Sequence, residues 1–255
     1  MSELRRFLEQ LTAAPSAEAL WDLHCSKMAE YGFDRIIYGF SHYMSETSMG
    51  DPEDFILLTN HDPSYMELFI GNGLYRDAPM VRWALHNVGA CSWRFLWDEM
   101  ARGALTEREK QIIAINQRHN VTAGYSISFK AITSRSKGAI ALTAREGMTQ
   151  AEADEIWAEH GSDIVLMNNV AHLKIVTLPH QSTGRSLTKR QREALEWVGD
   201  GKTTQDIAML MGLTSATVEK HLRLARESLS VETTAQAVLK AAFQNQMFIV
   251  DGIQG

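Results

Sequence analysis

The chain has 255 residues, enough for two domains of ordinary size, and 45% of them are hydrophobic, the fraction expected of a folded globular protein. No run of about 18 apolar residues occurs, so no membrane span is expected, and two cysteines, Cys25 and Cys91, supply no disulfide framework. The net charge of −6 is uneven: residues 185–255 hold nine Lys and Arg against eight Asp and Glu, and that +1 leaves −7 for the other 184 residues.

The first residues, MSELRRFLEQ, start a polar amphipathic helix and lack the apolar core of a signal peptide, which makes a cytoplasmic chain the expectation. Leu4, Phe7, Leu8 and Leu11 recur at helical spacing up to Pro15. Ser16 then caps a second helix with Leu20, Trp21, Leu23, His24 and Met28 inward, ended by Gly32. Phe33–Phe40 and Phe55–Thr59 are rich in strand formers. Asp62-Pro63 turns the chain into a helix through Tyr65, Leu68, Phe69 and Ile70, and Pro79 opens another to His86. The chain is extended around Cys91-Ser92-Trp93, with a short helix near Phe95–Met100. Thr106 caps a helix carrying Ile112, Ile113 and Ile115 to about His119. Tyr125–Ala131 and Ala139–Ala144 pair as strands, and a long helix runs from Thr149 to about Val176. Helices on both sides of these strands predict an α+β chain, with an α/β/α sandwich and a mostly antiparallel sheet over residues 1–176. Pro179, Ser182, Thr183 and Gly184 mark a linker over 177–186.

Residues 187–255 change character and predict an all-α helix-turn-helix bundle. Thr188 caps a helix ended by Gly199 and Gly201. Thr203 or Thr204 caps a second, with Ile207, Ala208, Leu210 and Met211 as its apolar stripe. Only Gly212-Leu213-Thr214 separates it from a third helix, which starts at Thr214 or Ser215 and buries Val218, Leu222, Ala225 and Leu229. Two helices across a tight glycine turn can place the second in the DNA major groove. Thr217, Lys220, His221, Arg223 and Arg226 face away from the apolar stripe, and Lys202 and Thr204 stand near the start of the helix before it. These are residue types that bind phosphates and guanine edges. Periodicity alone leaves a plain three-helix bundle with a solvated basic face open. The series LTKRQREALEW, GKTTQDIA, MGLTSATVEKHL and RESL, however, resembles the DNA-binding domain of LuxR-type regulators, matching at Glu193, Leu195, Gly201, Ile207, Ala208, Val218, His221 and Leu229.

Residues 15–175 resemble the autoinducer-binding domain of the same family through Gly32-Phe33-Asp34, Tyr38-Gly39, Tyr65, Phe69, Gly73, Pro79, Trp93 and Gly124. The resemblance implies a pocket for an N-acyl-homoserine lactone between sheet and helices. It puts Trp93 at the lactone-facing position, Tyr65 and Phe69 at aromatic positions, Tyr65 replacing a Trp, and His61 where some members carry a hydrogen-bonding Tyr. Thirteen residues after Tyr65 and fifteen before Trp93, Ala78 stands where the family's amide-binding Asp belongs, and Ala141 stands where Ser or Thr is common. A buried amide N–H without an acceptor costs about 1–3 kcal/mol, a loss of roughly ten- to hundredfold in affinity. Asp77 is adjacent, but neighbouring side chains in an extended segment point to opposite faces. Ser126 and Ser128 are the other polar candidates.

The expectation is therefore a sequence-specific regulator of double-stranded DNA, a homodimer, controlled by an acyl-homoserine lactone or a related small molecule. Contact with RNA polymerase follows if it is an activator. The alternative is an orphan regulator that binds DNA without such a ligand, its pocket altered or filled. The long helix from Thr149 and the last helix, Thr233 to Phe243 with Ala237, Val238 and Ala241, are the expected dimer contacts. No metal spacing, cofactor motif or catalytic constellation is present: a Cys91 nucleophile with His86 as base has no oxyanion-type surroundings. Trp21, Trp157 and Trp197 read as core, Trp83 and Trp97 as core or pocket wall, and the two cysteines as small buried hydrophobes. Glu219 is out of keeping with a phosphate-facing helix, since a carboxylate repels phosphate or accepts from cytosine N4.

Overall fold

The computed structural model describes residues 2–45, 50–131, 133–180 and 186–249, so that 181–185 of the expected linker, Ser182, Thr183 and Gly184 among them, lie outside the described residues. Its contacts separate two compact units, one made of Glu18–Val176 with the N-terminal helix, the other built on Thr177–Gly255.

The first unit is an α/β/α sandwich. Its helices are α1 (Glu3–Ala13), α2 (Ala17–Glu30), α3 (Pro63–Met66), α4 (Pro79–His86), α5 (Arg94–Ala101), α6 (Glu107–Arg118) and α7 (Gln150–Ile175). Its strands β1 (Arg35–Ser41), β2 (Ile56–Thr59), β3 (Gly89–Ser92), β4 (Gly124–Ser128) and β5 (Lys137–Thr143) form one antiparallel sheet in the order β2-β1-β5-β4-β3. The register pairs Ile37 with Ala141 and Ser126 with Ala141, so alternation places Ile37, Gly39, Ser126, Ala139, Ala141 and Thr143 on one face. The opposite face carries Ile36, Tyr38, Tyr125, Ile127, Ile140 and Leu142, all buried. There α7 closes the core: Tyr125 stacks on Trp157 at 3.8 Å, and the Tyr38 hydroxyl meets His172 Nδ1 at 2.9 Å. His24 of α2 bonds Asn168 of α7 through Nε2 at 3.0 Å within the same layer.

Local chemistry sets the helix starts. Thr106 and Thr149 each accept from the backbone N–H three residues on, while the glutamates at those positions, Glu109 and Glu152, reach back to the cap. Such a reciprocal pair satisfies two backbone donors that the helix itself leaves open. Gly124 shows the opposite constraint. Its φ of +154° and a β-carbon that would stand 2.1 Å from the Leu142 carbonyl oxygen admit no side chain.

Two sequence expectations need adjusting in this unit. The helix expected from Pro63 through Ile70 is regular only to Met66, then widens into a π-type turn over Glu67–Gly71. The widening keeps Phe69 buried while the chain prepares to reverse at Gly73, which has φ +74°. Cys25 and Cys91 are only partly buried. Among the described residues no helix is long and apolar enough to cross a membrane.

The second unit holds α8 (Lys189–Gly199), α9 (Thr204–Met211), α10 (Ser215–Ser228) and α11 (Thr234–Phe243) around a core of Leu195, Ile207, Val218, Leu222, Ala225 and neighbours. Thr188, Thr203 and Thr233 cap α8, α9 and α11 reciprocally with Gln191, Asp206 and Gln236. Leu210 is not part of the apolar stripe of α9: it is 52% exposed and Met209 75%. On so short a helix Ile207, Ala208 and Met211 suffice to meet the core. Ala237 and Ala241 are fully buried in this same core, and Val238 packs against it, so the residues that suggested α11 as a dimer contact are occupied within their own unit.

Candidate ligand cavity and DNA-binding helices

The face of the sheet turned from α7 borders a cavity of about 150 Å³. Small side chains make its floor, with Gly39, Ala139 and Ala141 side by side on β1 and β5. Its walls come from α3, the segment after it, and α4 to α6, and are mainly apolar, with Phe55, Ile70, Tyr75, Leu96 and Ile113 among them. Arg82 of α4 reaches Glu109 of α6 at 2.8 Å and ties two of the wall helices together.

Of the expected ligand residues, Trp93, Tyr65, Phe69, His61 and Ser126 line this cavity. Tyr65 and Phe69 stack at 5.6 Å with their planes 13° apart, and His61 lies 5.0 Å from the Tyr65 ring. The Tyr65 hydroxyl donates to Asn116 Oδ1 at 3.2 Å, and His61 Nε2 meets the Thr143 hydroxyl at 3.3 Å. Burial, helped by the Arg35 cation, lowers the His61 pKa to about 4, so the ring is neutral at pH 7. Trp93 Nε1 donates to Ser126 Oγ at 3.0 Å, both groups buried.

Asp77 and Ser128 do not belong to this set. Asp77 sits in a 3-10 turn, Leu74–Asp77, exposed and facing Arg108 at 3.5 Å, because the turn directs Ala78 inward and its neighbour out. Ser128 spends its hydroxyl on the Ala84 and Asn87 carbonyls, both at 2.7 Å, and closes the end of α4. Ala78, 4% exposed, and Ala141 both line the cavity, and among the described residues that line it there is no Asp or Glu.

Sequence reasoning missed how Trp93 is held. Ser92 Oγ donates to Asp154 Oδ1 of α7 at 2.7 Å, Arg94 Nε to Oδ2 at 2.9 Å, and the Trp93 backbone N–H to the Gly124 carbonyl at 3.0 Å. Burial alone would raise the Asp154 carboxyl. Hydrogen bonds from Ser92, Tyr125, Gln150 and Arg94 outweigh it and hold the pKa at about 2. Asn116, Thr143 and Lys137 were also missed as lining residues; the alternation on β5 could have pointed to the last two. Trp97, 42% exposed, lines the cavity edge. Cys91 does not: burial pushes its thiol up to about 11, and its Sγ donates to the Ser92 carbonyl while His86 Nδ1 bonds the Arg82 carbonyl.

In the second unit, Gly212 takes a left-handed φ of +65° and turns α9 into α10, whose N-cap Thr214 accepts from the Thr217 backbone N–H. Val218, Leu222 and Ala225 bury one side of α10, which leaves Glu219, Lys220 and Arg223 exposed. Thr217 and His221 are half-buried along one flank of that exposed side. Arg223 pairs with Glu227 one turn on. Thr204, at the start of α9, donates to Glu219 Oε1 at 2.9 Å, and Lys202 is exposed just before that helix. Arg226 departs from the expected face: half-buried, it donates to Thr234 Oγ1 at 2.9 Å and is engaged by the start of α11.

A helix-turn-helix with an exposed polar second helix, in a chain that also folds a sheet-floored cavity, defines a DNA-binding regulator with a sensor domain. The comparisons give that class its family. Residues 16–175 match the autoinducer binding domain family and 185–241 the bacterial regulatory proteins of the luxR family, and the chain belongs to these LuxR-type transcriptional regulators. It is 23% identical over 238 residues to the transcriptional activator protein AnoR of Acinetobacter nosocomialis, covering 92% of this chain and 94% of that one. To the activator LuxR of Aliivibrio fischeri it is 21% identical, covering 86% and 81%. Among solved structures, SdiA in complex with octanoyl-rac-glycerol has the same fold with TM-score 0.52 at 15% identity, covering 94% of this chain and 93% of that one. The N-acylhomoserine lactone dependent factor CepR2 of Burkholderia cenocepacia matches with TM-score 0.52 at 18% identity, covering 68% and 93%. Members of this family are regulators, not enzymes.

Proposed function

We propose that the cavity beside Trp93 binds a small amphipathic autoinducer, an N-acyl-homoserine lactone or a relative of one, and that occupancy controls how a homodimer reads two DNA half-sites about 10 bp apart. The observation that carries this reading is the cavity itself: about 150 Å³ of space with an apolar wall and inward polar groups, where a filled core would leave none. An engineered cavity of about that size binds benzene, so a longer chain enters by moving wall side chains, the partly exposed Trp97 foremost. That CepR2 is described as lactone-dependent and SdiA was solved with an octanoylglycerol supports an acyl-chain ligand here.

Dimerisation through α7 is supported by Leu166 and Leu173, 44% and 55% exposed, seven residues apart on its outer side. We place the protein in the cytoplasm with its DNA. RNA polymerase counts among its partners on the ground that the curated relatives are named activators. A second reading, an orphan regulator needing no lactone, is favoured by Ala78 and Ala141 on the cavity wall, which remove a carboxylate and a hydroxyl from where the family keeps them. Native mass spectrometry and thermal melts of the full chain, with and without added acyl-homoserine lactones, separate the two. A bound mass with a raised Tm supports the sensor; the absence of both supports the orphan.

A further inference from the structure

The ends of the cavity floor differ in chemistry. Along β5, Lys137 and Thr143 lie six residues apart on the same face, about 20 Å at the usual strand rise. At the Thr143 end stand the neutral groups His61, Tyr65 and Asn116. At the Lys137 end the last turn of α4 closes the wall, its apolar Ala84 brought there by the Ser128 hydroxyl that bonds the Ala84 and Asn87 carbonyls. Lys137 is 5% exposed. Its Nζ donates to the Asn87 carbonyl at 2.8 Å and the Phe129 carbonyl at 3.5 Å, two acceptors for an ammonium that has three N–H groups. Among the described residues no carboxylate pairs with it, and burial alone pushes its pKa down. The Asn87 carbonyl follows the C-terminus of α4, and the negative end of that helix offsets part of the buried charge. The remainder is uncompensated, which is costly for a buried ion.

We propose that the cavity selects an anionic amphiphile, a medium-chain compound ending in a carboxylate, seated with that carboxylate on Lys137. The proposal rests on the reading of this cavity as the ligand site. Among the described residues the wall carries no Asp or Glu to repel an anion, and Ala78 offers no acceptor to the amide of a lactone. A carboxylate on Lys137 supplies the third acceptor and the counter-charge in one contact, and charge-assisted bonds of that kind are about twice as strong as neutral ones. The polar groups at the Thr143 end remain available to a second polar function on the same molecule.

The test uses the full-length protein with three eight-carbon probes, octanoate, octan-1-ol and N-octanoyl-homoserine lactone, by calorimetry and thermal melts at pH 7.5. Wild type should bind octanoate about tenfold or more tighter than octan-1-ol. Lys137→Met should abolish that preference while leaving octan-1-ol affinity within about twofold, and Lys137→Arg should keep it. Equal affinity of wild type for octanoate and octan-1-ol overturns the proposal, as does a preference that survives Lys137→Met. Lactone binding that octanoate fails to compete away overturns it too, and leaves the ligand-site reading standing. Silence from all three probes overturns both. If Lys137→Met does not fold, the competition in wild type decides alone.

Discussion

Trp93 and Ser126 face each other across the cavity wall, the indole N–H donating to the serine hydroxyl at 3.0 Å with both groups buried. A ligand that uses the indole as donor must displace that contact, so the free protein already satisfies the group it would offer. Ser126→Ala should leave the indole N–H unpaired and lower stability by about 1–3 kcal/mol. A ligand carbonyl arriving there should recover that loss. Urea melts with and without N-octanoyl-homoserine lactone should show a larger ligand-induced stabilisation in Ser126→Ala than in wild type; equal increments would mean that the ligand never touches the indole.

Ala78 is the second lever. Ala78→Asp places a carboxylate on a buried wall that has no partner for it in the unliganded protein, so the free variant should melt earlier than wild type. With an amide-bearing lactone the same carboxylate gains a donor, and affinity for N-octanoyl-homoserine lactone should rise roughly ten- to hundredfold. Titration calorimetry on the two proteins checks both halves.

The residues we propose to face DNA should separate into two kinds. Arg223→Ala should relax base discrimination at about one operator position, whereas Lys202→Ala should weaken all sequences alike and reduce the salt slope by about 1. Glu219, steadied by Thr204 at 2.9 Å, has a second carboxylate oxygen to accept from cytosine N4. Selection from randomised duplexes should therefore lose a cytosine preference in Glu219→Gln. An unchanged selected sequence would confine Glu219 to holding the two helices together.

Acid should unsettle the first unit before it unsettles the second. Burial lowers the pKa of His24, His61 and His172 to about 4, with the Arg35 cation adding to the effect at His61, while unfolded His titrates near 6.5. Between those values the unfolded chain takes up protons that the native fold refuses. The stability is present above about pH 6.5 and is lost as pH falls toward 4, by up to about 3 kcal/mol per group. Urea melts at pH 7 and pH 5 should differ in midpoint, and His172→Phe should reduce that difference by about a third, one of three such groups being removed. The fold should accept the ring, since Phe129 already stacks there at 4.1 Å and the hydrogen bond lost is the one to Tyr38.

What could be read from the chain before folding was whatever is written within a few residues. The caps at Thr106, Thr149, Thr188 and Thr203 are legible because the two halves of each box stand three positions apart. The turn at Gly212 is equally local. The aromatic wall of Tyr65, Phe69 and Trp93 was visible through a family pattern, not through periodicity. The Asp154 clamp was not legible, since its partners Ser92 and Arg94 lie sixty or more residues away. Lys137 was passed over because the strand was expected only from Ala139; β5 begins two residues earlier, and the alternation that puts Ala141 on the cavity face then includes Lys137. Arg226 misled because a neighbouring helix took its side chain elsewhere, whereas the outward course of Asp77 beside an inward Ala78 follows the alternation already read from the chain.

The five-stranded sheet is also a partition. Behind it, aromatic rings, two histidines and an asparagine interlock with α2 and α7, and any change there is a change in folding. In front of it, Gly39, Ala139 and Ala141 border the hollow, and a β-carbon at Gly39 would meet nothing within 4 Å. A methyl group more or less on that side alters what the hollow admits while the interlocked side carries on undisturbed. The shape of the hollow can therefore be altered one side chain at a time at little cost to the fold.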